Sequence, residues 1–146
     1  MDLPSAKAAI RALAKREARR RFEEELPPTH HYRMACDGKP LPHDPLRTSQ
    51  EERALRLLRF DRHPACSATL ARWGKSDDEG NPISEACPAC PGQTDDAAHL
   101  LCSCSKWTEE RRQWLGANPT VRLLQSMPAS VCHFLRGIGL LPQPPI

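Results

Sequence analysis

The stretch CPACPGQTDDAAHLLCSC, positions 87 to 104, constrains this chain more than any other. It holds four of the seven cysteines and one of the six histidines, spaced C-x2-C-x8-H-x4-C. Two residues between Cys87 and Cys90 let a tight turn aim both sulfurs at one point, and Pro88 and Pro91-Gly92 stiffen that turn. Zn²⁺ then needs two further ligands placed tetrahedrally. His99 supplies one. Thr94, Asp95 and Asp96 read as a helix start, which puts His99 about one turn in. Two cysteines compete for the last place. On a continuing helix Cys102 shares a face with His99, whereas Cys104 points about 140° away. Cys104 reaches the metal only if the helix ends near Cys102 and the chain bends back. Spacing argues the other way, because about three to five residues usually separate the second pair of ligands. On spacing we take Cys87, Cys90, His99 and Cys104 as the ligands. Four protein ligands leave no open position for water, so this zinc reads as structural rather than catalytic.

The rest of the chain explains why a staple is needed. Its 146 residues support one small core rather than two. Only 39% of residues are hydrophobic and 15 are prolines, which predicts irregular stretches. The net charge of +3 does not by itself imply a nucleic-acid partner. The N-terminus carries no apolar run of the signal-peptide type, and no stretch approaches a membrane span. The expectation is an intracellular chain, nuclear or cytoplasmic, neither secreted nor in a membrane. In such a reducing setting clustered cysteines read as metal ligands rather than disulfides.

The expected fold is mainly α: a small zinc-stapled helical domain with a short CCHC knuckle, and a separate N-terminal helix. Residues 1–26 form that basic helix, with seven basic residues against one acid between Lys7 and Arg21, and a thin apolar face of Ile10, Leu13, Ala14 and Phe22. Residues 27–45 read as a Pro-rich linker, in which His30, His31, Cys36 and His43 match no common ligand spacing and are most simply loop residues. Residues 46–141 form the helical domain around the knuckle at 87–104. It opens with a helical hairpin over 47–75. Thr48–Glu51 and Ser49–Glu52 each fit a capping box. Leu55, Leu57, Leu58 and Phe60 supply the buried face. Pro64 can open the second helix, capped by His63 and ended by Gly74, with Cys66 as a small core residue. A short hairpin is possible at 85–92. Thr108 can cap a helix running to Gly116, Asn118-Pro119 another, and Pro128 a third to about Leu141, where Cys132 and His133 read as packing residues. The tail, 142–146, is expected to fray.

Residues 54–107 resemble the region that follows the reverse transcriptase in non-LTR retrotransposon polyproteins. The matching residues are Arg59, Arg62 and His63, then Leu70-Ala-Arg-Trp-Gly74, then Cys87, Cys90, His99 and Cys104. THHYRMACDGKPLP followed by LRFDRHPACSATLARWG looks most like the ingi-type elements of trypanosomatids, so the resemblance spans most of 29–107. It implies a CCHC knuckle that helps a parent polyprotein hold template RNA or target DNA, with Cys102 standing where a leucine is usual. The aromatic-x-Asp-Asp pair of a reverse transcriptase is missing, as is the acidic constellation of an RNase H or endonuclease. The chain is thus expected to be a tail fragment without catalysis of its own.

Two functional readings follow. In the first, the module binds RNA or single-stranded DNA. Its expected contacts are the basic segment 7–21 and Arg53, Arg56, Arg59, Arg62 and Arg72 beside Trp73, because arginine with an exposed aromatic stacks on unpaired bases. The knuckle itself is a poor phosphate binder, since residues 74–104 hold six acids and one base. In the second, zinc only staples the helices, and the C-terminal helices dock on the parent polymerase or another protein. A relic without function is the remaining alternative.

Overall fold

In the computed structural model, which describes residues 3–143, the chain is mainly α. The helices are α1 (Leu3–Glu25), α2 (His31–Cys36), α3 (Ser49–Arg59), α4 (Ser67–Arg72), α5 (Ala97–Cys102), α6 (Thr108–Leu115), α7 (Leu123–Ser126) and α8 (Pro128–Gly137). Between α4 and α5 lies a two-stranded antiparallel hairpin, β1 (Ala86–Cys87) and β2 (Cys90–Thr94). Met1, Asp2 and residues 144–146 of the tail expected to fray lie outside the described residues.

The core is built by α3 and α8, joined by α2, α5, α6 and α7. Leu55, Leu58, Leu124, Val131, Phe134 and Leu135 are fully buried in it. The C-terminal helices therefore spend their apolar face within this chain. A local device starts α3: the Thr48 hydroxyl accepts the Glu51 N–H at 3.2 Å, and the Glu51 carboxylate accepts the Thr48 N–H at 3.3 Å. Of the two capping registers open in the sequence, the Thr48 one is formed.

Several elements differ from expectation. The segment read as a linker contains α2, whose Ala35 and Cys36 are fully buried. Its His31 Nε2 donates to the Leu58 carbonyl at 2.8 Å, tying it to α3. Phe60 is not part of the buried face: it follows the last turn of α3, is 52% exposed, and stacks on Tyr32 with centroids 4.8 Å apart. α4 starts at Ser67, not at Pro64, and His63 instead accepts the Ala65 N–H within the preceding turn. A short 3-10 turn, Ser105–Trp107, precedes α6, so Thr108 donates to the Ser105 carbonyl rather than capping. No helix begins at Asn118-Pro119; the chain extends to Leu123 before α7.

α1 is exposed along most of its length and is fastened at its C-terminal end. Arg19 grips both carboxylate oxygens of Asp37, at 3.0 and 3.1 Å. Phe22 meets the Tyr32 ring edge-on at 5.9 Å. Beneath Phe22 lies Gly38, with φ +75°, where a Cβ would sit 3.2 Å from the ring. Both the backbone angle and the close approach call for glycine there.

Candidate metal centre

The hairpin and α5 bring four ligands together. In the ladder Cys87 lies opposite Cys90, with a bulge between Ala86 and Cys87. α5 then begins at the cap Asp96, whose carboxylate accepts the His99 N–H at 2.8 Å. The helix ends at Cys102. The N–H groups of Ser103 and Cys104 both donate to the His99 carbonyl, at 3.0 and 2.8 Å, so the chain folds back on itself. That turn carries Cys104 into the cluster, while Cys102 stays half-buried against the main core.

The ligand atoms of Cys87, Cys90, His99 and Cys104 all lie within 4.8 Å of one another, and all four residues are buried. Cys87 Sγ and Cys104 Sγ are 3.8 Å apart. A tetrahedron with Zn–S bonds of ~2.3 Å has an edge of ~3.8 Å. His99 provides a second test of fit. Its Nδ1 lies 3.2 Å from the Ser103 hydroxyl, whereas its Nε2 is buried with no hydrogen-bond partner. A buried nitrogen left unpaired costs about 1–3 kcal/mol, and a metal ion is the partner that three cysteines and a histidine imply. The cluster can hold a metal ion.

The surroundings bear on the thiols unequally. The Ser105 hydroxyl and N–H, 3.2 and 3.3 Å from Cys90 Sγ, lower the Cys90 thiol to about 6. Burial, with the neighbouring sulfurs, pushes Cys104 up to about 11. Thiolates this close repel one another, and a divalent cation between them reverses that cost.

Sequence reasoning missed Arg111, which supports the centre from behind. It is 6% exposed, and its guanidinium donates to the carbonyls of Leu101 at 3.1 Å and Cys104 at 2.6 Å, with Leu100 at 3.4 Å. Two of these are carbonyls from the last turn of α5, which lack partners within the helix. The acids of the knuckle are also engaged. The Asp95 carboxylate accepts the Ser67 N–H at 2.9 Å and its carbonyl the Ala68 N–H at 3.0 Å, so the hairpin caps α4. In return the Asp61 carboxylate accepts the Ala97 N–H at 2.9 Å, at the start of α5.

The arginines expected on the surface divide into three groups. Arg53, Arg56 and Arg62 are exposed, and their side chains have no partner among the described residues. Arg72 is exposed but bonded to the Asp61 carbonyl and near its carboxylate, beside Trp73, which is 44% exposed. Arg59 corrects the expectation: it is 8% exposed and donates to the Lys39 carbonyl. It lies on the inner side of α3 and holds the approach to that helix rather than facing solvent. No helix among the described residues is long and apolar enough to cross a membrane. No family model, curated protein or solved structure matches the chain.

Proposed function

We propose that this chain is a zinc-stapled, nucleic-acid-binding module, the tail segment of an ingi-type non-LTR retrotransposon polyprotein, without catalysis of its own. The convergence of three buried cysteines and one orphaned histidine nitrogen carries the zinc half of the reading. Bound zinc would hold the hairpin to α5, and with four protein ligands it would have no vacant position for a substrate. Nucleic-acid binding rests on the unpaired arginines Arg53, Arg56 and Arg62 and on the free basic residues of α1. Within α1, Arg19, Arg20 and Arg21 are spent on Glu23, Glu17 and Glu24, which leaves Lys7, Arg11, Lys15 and Arg16 to meet phosphate. Native mass spectrometry and a salt titration of single-stranded RNA binding test the two halves separately. One zinc per chain and a binding constant falling steeply with salt are expected. The retrotransposon origin predicts that the natural polypeptide continues from an upstream reverse transcriptase, which peptide mapping of the native product would find.

One observation favours a second reading, a protein-interaction module. Ile10 and Leu13 on α1 are 65% and 59% exposed, an apolar edge that a partner helix would cover. The C-terminal helices are poorer docking elements, because Val131, Phe134 and Leu135 are already fully buried. Zinc binding without nucleic-acid binding at low salt would select this reading.

A further inference from the structure

Away from the metal centre, α2 and the turn from α3 to α4 enclose an open cleft of about 490 Å³. Its volume falls within the range of about 300–1,000 Å³ typical of small-ligand sites. Its walls include Tyr32, Phe60, Arg56, Arg62 and Arg72, with Asp61 beside them. Three aromatic rings lead into it as a ladder. Phe22 meets Tyr32 edge-on, and Tyr32 stacks on Phe60 at 4.8 Å with an interplanar angle of 13°. The ladder stops at Phe60, which has no further aromatic partner among the described residues and is 52% exposed. A large apolar ring left half in water in the wall of a cleft is an unfinished stack.

The charges around it have one sign to spare. Asp61 is the acid in the wall, and its carboxylate is divided between the Ala97 N–H and Arg72. Arg56 and Arg62 line the same cleft as Phe60, with no acidic partner among the described residues. A planar ring to continue the stack, joined to anionic groups for two guanidiniums, is the chemistry of an unpaired nucleotide. A protein segment would need an aromatic residue with acids placed on both sides of it, whereas every nucleotide of an unpaired strand supplies a ring and a phosphate.

We infer that this cleft binds single-stranded nucleic acid, with a base stacked on Phe60 and the backbone phosphates on Arg56 and Arg62. The inference rests on the nucleic-acid reading above and adds to it a place, the stack on Phe60, from which a duplex is excluded. Duplex bases are already stacked on one another and cannot enter.

The test compares a fluorescein-labelled, unstructured single-stranded oligonucleotide with the same sequence as a duplex, by anisotropy, on the zinc-loaded full chain. The wild type should bind the single strand more tightly. Phe60→Ala should weaken single-strand binding about tenfold or more while leaving duplex binding unchanged, and Phe60→Trp should retain it. Arg56→Ala combined with Arg62→Ala should reduce the slope of log K against log salt by about 1.4. Both arginines are exposed and unpaired, so this variant keeps the test decisive even if Phe60→Ala unfolds. Single-strand binding unchanged in all variants would overturn the cleft while leaving the nucleic-acid reading to the basic arm. No binding by the wild type at low salt would overturn both.

Discussion

Arg111 donates to the Cys104 carbonyl at 2.6 Å, so the residue carrying the fourth candidate ligand is held from behind by a buried guanidinium on the next helix. The same group donates to the Leu101 carbonyl at the end of α5. Arg111→Met keeps the length of the side chain and removes its donors. It should cost about 2–4 kcal/mol of stability, because buried carbonyls lose their partner. It should also weaken zinc binding about 10- to 100-fold, the usual effect of removing support behind a ligand. Urea denaturation and a chelator competition assay read the two effects. Zinc affinity unchanged in the variant would show that Cys104 is positioned without Arg111.

The ligand set makes a sharp distinction between two cysteines two residues apart. Native mass spectrometry should find one zinc in the wild type and in Cys102→Ser, and none in Cys87→Ser or Cys104→Ser. Stripping the metal should remove much of the folding free energy, since structural zinc contributes on the order of 10 kcal/mol in small zinc peptides. Zinc retained by Cys104→Ser would mean that Cys102 takes its place.

Asp95 and Asp61 exchange caps between the hairpin and the helical pair. Asp95→Ala should cost about 1 kcal/mol through the exposed start of α4, and Asp61→Ala a similar amount at α5. The effect of Asp95→Ala should be larger in zinc-loaded protein than in stripped protein, because only an ordered hairpin presents that cap. Thermal melts with and without chelator would measure the difference, and equal losses in both states would disprove the link.

Glu51 supplies a pH dependence away from the metal. Burial disfavours its charge, but the Thr48 N–H and hydroxyl and the Arg136 guanidinium outweigh this and hold its pKa below the ordinary 4.5. Arg136 lies 2.9 Å away. A depressed carboxylate stabilises the fold fully above its unfolded pKa, and that stability is lost as pH falls through the lower folded value. The wild type should therefore lose more stability than Glu51→Gln when urea midpoints are followed from pH 5.5 downwards (about one unit above that ordinary value). Parallel curves for the two proteins would refute the assignment.

The parts legible in the sequence are those whose causes are local. The Thr48–Glu51 capping box lies within four consecutive residues. The C-x2-C turn and the cap at Asp96 are equally short-range, and together they locate three of the four converging donors. Other features depend on distant partners. α2 spans six residues with no repeating pattern, and its burial comes from packing on α3 and α7. α4 starts at Ser67 because Asp95, 28 residues later, supplies its cap. Nothing in the sequence distinguishes Arg111 from its neighbour Arg112, yet one is buried beneath the centre and the other is exposed. Phe60 matches the apolar spacing of α3 but falls just past its end, where the helical face no longer directs it inward.

The exchange of caps between Asp61 and Asp95 also sets the smallest piece that could be grafted elsewhere. A peptide cut at the cysteines would leave the first residue of α5 without its acceptor, because that acceptor lies 26 residues before Cys87. It would also omit Arg111, seven residues past Cys104. The transplantable unit therefore reaches at least from Asp61 to Arg111. In this protein the loop that carries the cysteines is not a cassette, and shuffling it between hosts would have to move the helices that hold it.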